Sequence, residues 1–296
     1  MFDYERVYES RSIPEALEIL SEKGPVVIIN GGTDVLIRAR ENKYRGCSLL
    51  NIANIEELRG VFLNDNKDIV IKAGTTFTEI ENNQIVREKL RFLADASGQV
   101  GSPQVRNVAT IGGNLCNGAV SADSAPSLFV SNAKLVLEKK SGKRIVPIEE
   151  FYLGPGKTVL EQDELLTEII IKQEDYEEYF GVYKKFGKRR AMEIATLSCA
   201  VSLALEDSGK KIRDFKIAFG VAAPTPVRCY KTEEKVNHSI IQPQLFEEIK
   251  NSVLDELKPR DSWRASKELR IQIIREFSVR ATQEAITKGR EVQCSK

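Results

Sequence analysis

One histidine, His238, stands among 296 residues. A multi-histidine metal site is therefore excluded within this chain, and a Ser-His-Asp mechanism would rest on that residue alone. The five cysteines, Cys47, Cys116, Cys199, Cys229 and Cys294, are widely spaced and make no CxxC pair. That argues against a disulfide framework, a zinc ribbon or an iron–sulfur cluster held by this chain alone. Charge of one sign is missing as well: 44 Lys+Arg against 43 Asp+Glu leave +1. The bulk electrostatic case for nucleic acid or an anionic membrane falls with it. Apolar runs are short, as in Val26–Ile29, far below the roughly 20 residues of a bilayer span. The start, Met1-Phe2-Asp3-Tyr4-Glu5-Arg6, shows no signal peptide, so a reduced, cytoplasmic protein is expected.

What is present is globular: 42% hydrophobic and 29% charged residues, in a length suited to two domains. Ser12 and Glu15, with Pro14 between them, read as a capping box opening a helix. Val26–Ile29 is an apolar strand, followed by Asn30-Gly31-Gly32-Thr33-Asp34, a helical stretch from Val35 and a second strand at 48–52. Strand, glycine turn, helix, strand is a βαβ unit of a parallel sheet. After Arg59 the texture changes. Asn64-Asp65-Asn66-Lys67 and Ser141-Gly142 read as hairpin turns, 84–96 and 126–133 as helices, and Leu165–Ile171 as a strand. Beyond a charged break at Lys172-Gln173-Glu174-Asp175, Leu197, Cys199, Val201, Leu203 and Leu205 alternate as in a half-buried strand. Phe215, Ile217, Phe219 and Val221 supply its partner, and 245–257 and 262–288 read as helices.

Two diglycine turns carry the chemistry: Asn30-Gly31-Gly32-Thr33-Asp34 and Thr110-Ile111-Gly112-Gly113-Asn114. Glycine admits positive φ and close approach of a ligand, and a helix start adds free N–H groups that suit phosphate. Two such turns could grip one pyrophosphate, and a side chain at Gly112 would then occupy phosphate space. Neither turn matches GxGxxG or the Walker pattern. From spacing alone, Asp123 ahead of Pro126 reads as a helix cap. The basic run 184–190 could face an anionic cofactor or be a solvated loop. Trp263, beside Arg264, could anchor an interface, or pack at a helix start capped by Ser262. His238 reads as an exposed loop residue and Cys199 as packing.

These residues together resemble the FAD-binding subunit of the molybdenum hydroxylases, the family of xanthine dehydrogenase and carbon monoxide dehydrogenase. The resemblance rests on Ile29-Asn30-Gly31-Gly32-Thr33-Asp34 and on the highly specific block running from Gly101-Ser102-Pro103-Gln104-Val105-Arg106-Asn107 through Thr110-Ile111-Gly112-Gly113-Asn114 to Ser121-Ala122-Asp123. It extends through Gly154-Pro155-Gly156-Lys157 to Phe219-Gly220-Val221-Ala222-Ala223-Pro224-Thr225-Pro226 and Ser262-Trp263-Arg264-Ala265-Ser266-Lys267. The last two segments look most like the bacterial xanthine dehydrogenase FAD-binding subunits.

The resemblance implies an α+β fold. An FAD-binding domain of the PCMH (vanillyl-alcohol oxidase-like) type, 1–175, has subdomains at about 1–58 and 59–175. A C-terminal domain, 176–296, has an antiparallel sheet with helices. The implied cofactor-binding set is Val27-Ile28-Ile29-Asn30-Gly31-Gly32-Thr33-Asp34, Val100, Thr110-Ile111-Gly112-Gly113-Asn114, Asp123, Leu166 and Lys185. Amides of both glycine turns would hold the pyrophosphate. Asp123 would bind the ribose side, which reverses the capping preference. Glu193 and Ile194 would gate the flavin face where NAD approaches. The implied activity is that of an FAD-dependent oxidoreductase subunit in a heterotrimer. Electrons from a molybdenum–pterin large subunit would cross [2Fe–2S] clusters on a small subunit, reach FAD, and leave to NAD as hydride, with purine hydroxylation as the family expectation. The flavin does this chemistry, so no catalytic side chain is required. Alternatives of another class are a self-contained flavoenzyme of the same fold and a cofactor-less scaffold subunit.

Overall fold

The computed structural model describes residues 3–189 and 191–294. The first part is a three-stranded parallel layer. Strand β1 is Val7–Glu9, helix α1 Ile13–Glu22, strand β2 Val26–Ile29, helix α2 Val35–Arg40 and strand β3 Ser48–Asn51, with strand order β1-β3-β2. Ser12 Oγ accepts the Glu15 amide, but the Glu15 carboxylate takes the amide of Arg11 instead of that of Ser12. Ala16, Leu17 and Leu20 of α1 bury against Leu50 and Ile52 in a small separate core. β1 was not legible from pattern, because three residues are too few to show a period.

The second part is a five-stranded antiparallel sheet with helices against it. Its elements are β4 (Val61–Leu63), β5 (Ile69–Lys72), α3 (Phe77–Asn82), α4 (Gln84–Lys89), α5 (Arg91–Gly98), α6 (Pro103–Arg106), α7 (Ile111–Cys116) and α8 (Ser124–Phe129). They continue as β6 (Lys134–Lys139), β7 (Gly142–Pro147), α9 (Ile148–Phe151), β8 (Tyr152–Gly154), β9 (Lys157–Thr158) and β10 (Leu165–Ile171). Strand order is β4-β5-β10-β6-β7. Both expected hairpins are present. The helix expected over 84–96 is two helices. The chain breaks at Leu90 (φ −132°, ψ 48°), whose side chain is fully buried, and core packing at that kink overrides the helix propensity of leucine. The helix expected over 126–133 runs from Ser124 to Phe129.

The third part comprises β11 (Phe180–Phe186), β12 (Leu197–Glu206), β13 (Lys211–Gly220) and β14 (Val227–Arg228) in one antiparallel sheet, then α10 (Tyr230–Val236), α11 (Pro243–Ser252) and α12 (Lys267–Cys294). β12 is buried along both faces, not half-buried. Cys199, Val201 and Leu203 join the core formed with Ile274, Ala281 and Ala285 of α12, whereas Ala200 joins the core of the second part. The small residues on the alternate face thus pack under another layer and need not meet water. The final helix begins at Lys267, five residues after Ser262, and the Leu269 amide is capped by Ser266 Oγ at 3.2 Å. Trp263 is 80% exposed, with Arg264 stacked on its ring at 4.4 Å, so the tryptophan is not packed; Ser262 Oγ accepts the Arg264 amide at 3.3 Å and Arg270 Nη2 at 2.7 Å instead of capping the final helix. His238 is exposed, and Cys199 is fully buried as packing. Among the described residues, no helix is long and apolar enough to cross a membrane.

Candidate functional site

A cavity of about 660 Å³ opens where the parallel layer meets the α3–α8 layer. Its size lies in the range of small-molecule sites, about 300–1,000 Å³. The first glycine turn forms one wall. Gly32 has φ +72°, a backbone conformation that other residues adopt only with strain. Gly31 presses on the second motif: a Cβ there would lie 1.9 Å from the carbonyl oxygen of Val108. The amides of Asn30, Gly31, Gly32, Thr33 and Asp34 find no acceptor among the described residues. A run of unpaired N–H groups facing a cavity is a ready anion cradle. α2 is only six residues long, so these amides and not a helix dipole carry the argument.

The second glycine turn also lines the cavity, adjoining the first, and is wired differently. The Ile111 amide donates to Thr75 O at 3.1 Å, Gly112 to Ala73 O at 2.8 Å, Asn114 to Thr110 O at 3.0 Å and Gly113 to Thr110 Oγ1 at 3.2 Å. A Cβ at Gly112 would lie 2.6 Å from Ala73 O, so glycine is required there by the end of β5 and not by phosphate space. Of the amides expected to hold a pyrophosphate on both turns, those from Ile111 to Asn114 are thus already committed to oxygens of the protein. Thr110, Gly112, Gly113 and Asn114 line the cavity, while Ile111 is fully buried in the core.

Asp123 lines the cavity and is not a cap. Its backbone is helical (φ −63°, ψ −32°), and its side chain makes no capping bond. Oδ1 accepts the Tyr183 hydroxyl at 2.8 Å, and Oδ2 accepts Lys185 Nζ at 2.8 Å. Burial pushes this carboxyl above its ordinary value, against the pull of Lys185 and Tyr183. Lys185 also donates to Gln99 O at 2.9 Å, and it reaches the site through Asp123 without lining the cavity. The basic run is thereby split by strand alternation: Lys184 pairs with Glu284 of α12, and Lys185 turns to the opposite face. Arg190 of that run lies outside the described residues.

Val100, Leu166, Glu193 and Ile194 line the cavity together with Met192, which is 64% exposed and donates its amide to Gly101 O at 3.2 Å. Glu193 Oε2 accepts the Arg189 amide at 2.6 Å. Burial alone would raise its carboxyl, but the Arg189 and Lys188 amides and the Arg189 guanidinium hold it below the usual value. Of the sequence-derived set, Val27, Ile28, Asn30, Gly31, Gly32, Thr33 and Asp34 also line the cavity, whereas Ile29 does not. Sequence reasoning missed Arg38, Tyr44 and Asn117, which line it too. Arg38 lies one helical turn past Asp34, a spacing readable only once that turn is known to face a cavity.

Residues 2–172 match the family model described as the FAD binding domain in molybdopterin dehydrogenase, and residues 182–285 match the CO dehydrogenase flavoprotein C-terminal domain. The chain is 37% identical to the xanthine dehydrogenase FAD-binding subunit of Escherichia coli O157:H7, over 97% of each protein. It is 34% identical to the nicotinate dehydrogenase FAD-subunit of Eubacterium barkeri, over 71% of each. Among solved structures, a chain of carbon monoxide dehydrogenase from Hydrogenophaga pseudoflava superposes with a TM-score of 0.88 at 27% identity, over 96% of both chains.

Proposed function

The chain belongs to the family of FAD-binding subunits of molybdopterin dehydrogenases, and from that premise we propose that it is the electron-transfer subunit of a xanthine dehydrogenase-like complex. It takes electrons from [2Fe–2S] clusters on one partner, fed by a molybdenum–pterin centre on another, and delivers them to NAD in the cytoplasm. Purines are the proposed substrate class of the assembled heterotrimer. The observation that carries the cofactor reading is the run of acceptor-free amides from Asn30 to Asp34 along the cavity wall.

In this reading FAD, when bound, supplies the link between single-electron donors and a two-electron acceptor. The chain's own residues bind and orient it. The Asn30–Asp34 amides take the diphosphate, and Val27 and Ile28 wall it. Thr110, Gly112, Gly113 and Asn114 shape the adjoining wall, with Ile111 as a buried and Ile29 as a half-buried support. Asp123, held by Lys185 and Tyr183, takes a ribose-side hydroxyl through its remaining lone pairs. Val100 and Leu166 pack along the flavin, and Glu193 and Ile194 border the face open to NAD. The FAD-binding domain is 1–175, parted near 58, and 176–296 closes over it.

The full chain expressed with FAD is expected to be yellow, with a flavin spectrum at near one equivalent, and to co-purify with an iron–sulfur and a molybdenum subunit. Stopped-flow reduction of that complex, followed by reoxidation with NAD, tests the direction of flow. A folded chain that takes up no FAD overturns the cofactor reading. A reduced complex that NAD fails to reoxidise overturns the acceptor.

A further inference from the structure

The charges around the cavity are unevenly paired. Asp123 meets Lys185 at 2.8 Å, Glu161 meets Lys139 at 2.7 Å, Glu164 meets Arg144 at 2.7 Å and Glu193 meets Arg189 at 3.4 Å. The remaining lining carboxylate, Asp34, is exposed and makes no ion pair among the described residues. Arg38 is the one cationic side chain lining the cavity among the described residues. Its partners are neutral: Nη2 donates to Asn117 Oδ1 and Nη1 to the Tyr44 hydroxyl at 3.4 Å. Glu41, further along the same segment, is held by Lys43 at 2.6 Å. The guanidinium is therefore hydrogen-bonded only to neutral groups and feels Glu41 at longer range without an ion pair, and it stands one helical turn beyond the acceptor-free amides of Asn30–Asp34.

We propose that Arg38 is the counter-charge for the cofactor's diphosphate, exchanging its neutral partner Asn117 for phosphate oxygens and so adding a charged donor to the Asn30–Asp34 amides. The inference rests on the FAD reading above and adds a residue to it. The planar guanidinium fork suits phosphate, and such a bond is roughly twice as strong as one between neutral groups. Asn117 follows α7 while Arg38 lies on α2, so their bond ties the two elements together at the cavity lining. In this assignment Asn117 parks the guanidinium until the anion arrives.

The test titrates the deflavinated full chain with FAD, read by flavin fluorescence. Arg38→Met is expected to raise the Kd about tenfold to a hundredfold and to flatten its dependence on salt. Arg38→Lys restores part of the loss. Asn117→Ala removes the parking partner but keeps the charge, so its Kd stays within about threefold of wild type. ADP competes with FAD less well in Arg38→Met than in wild type, whereas competition by adenosine, which lacks phosphate, is unchanged. Wild-type affinity and salt dependence in Arg38→Met overturn the assignment while leaving the FAD reading intact. Equal losses in Arg38→Met and Asn117→Ala also overturn it, since they mark a structural strut. A wild-type chain that binds no FAD overturns the cavity reading and this inference with it.

Discussion

The two diglycine turns line one cavity side by side and look alike in composition, yet their backbones do opposite work. From Asn30 to Asp34 the amides have no internal acceptor; from Ile111 to Asn114 each donates to an oxygen of the protein. The first turn is open to a ligand, and the second is a wall built onto the end of β5. The lesson is physical: glycine at a turn reports that a side chain would collide, not what it would collide with. At Gly31 and Gly112 the colliding atoms are backbone carbonyl oxygens, of Val108 and Ala73. At Gly32 the requirement is the positive φ itself.

The strongest way to break the comparison is at its hinge. Gly31→Val would drive a side chain into Val108 O, where a Cβ alone stands at 1.9 Å, and would push the two turns apart. We expect a loss of about 3 kcal/mol or more in stability and loss of flavin together, measured by denaturant unfolding and bound-flavin content. A variant that melts normally and keeps flavin would show that the turns need not abut. A paired comparison separates the roles. Gly32→Ala strains a left-handed position by about 1–2 kcal/mol, and its neighbour is the flexible Leu36 side chain at 3.0 Å. It should weaken FAD about tenfold with a modest fall in Tm. Gly112→Ala should do the reverse, costing about 1–3 kcal/mol in stability while the folded fraction binds FAD nearly as before. If the two variants exchange these signatures, the distinction is wrong.

Asp123 sits between the regions and shares both characters. It lines the cavity, and it also ties α8 to β11 through Tyr183 and Lys185. Asp123→Ala is expected to weaken FAD by about 1–3 kcal/mol. It also leaves the Lys185 ammonium buried without its carboxylate, so Tm falls too. Unchanged FAD affinity with a lowered Tm would make the pair purely structural.

Much of this architecture could be read beforehand, and most of the failures share one cause. β2, β3 and β10 announce themselves as apolar runs, and the hairpins by their turn residues, because those signals are local. The capping box of Thr76 and Glu79 at α3 was also readable and was missed. The break at Leu90, the covered second face of β12 and the committed amides of the second turn depend on atoms far away in sequence. Ala73 O and Thr75 O decide whether the Gly112 and Ile111 amides are free, and nothing in the pattern Ile111-Gly112-Gly113-Asn114 refers to them.

Glu164 gives the smallest and sharpest test, because it lines the cavity as the second turn does, with its groups already committed. Arg144 binds it twice, at 2.7 and 2.8 Å, and the Glu161 amide adds a third bond at 2.9 Å. Burial alone would raise its carboxyl, but these partners hold it below its ordinary 4.5. A carboxylate depressed in this way stabilises the fold fully above the unfolded value and loses that contribution as pH falls through the lower folded value. Glu164→Gln should therefore cost about 1 kcal/mol at neutral pH, a modest figure because Arg144 is partly exposed. The gap to wild type should narrow as pH falls below the ordinary 4.5, while FAD affinity at neutral pH stays unchanged. A Kd that moves with the substitution would place Glu164 among the ligand-facing groups with the first turn, and a gap that widens as pH falls would show that its charge is not what stabilises the fold.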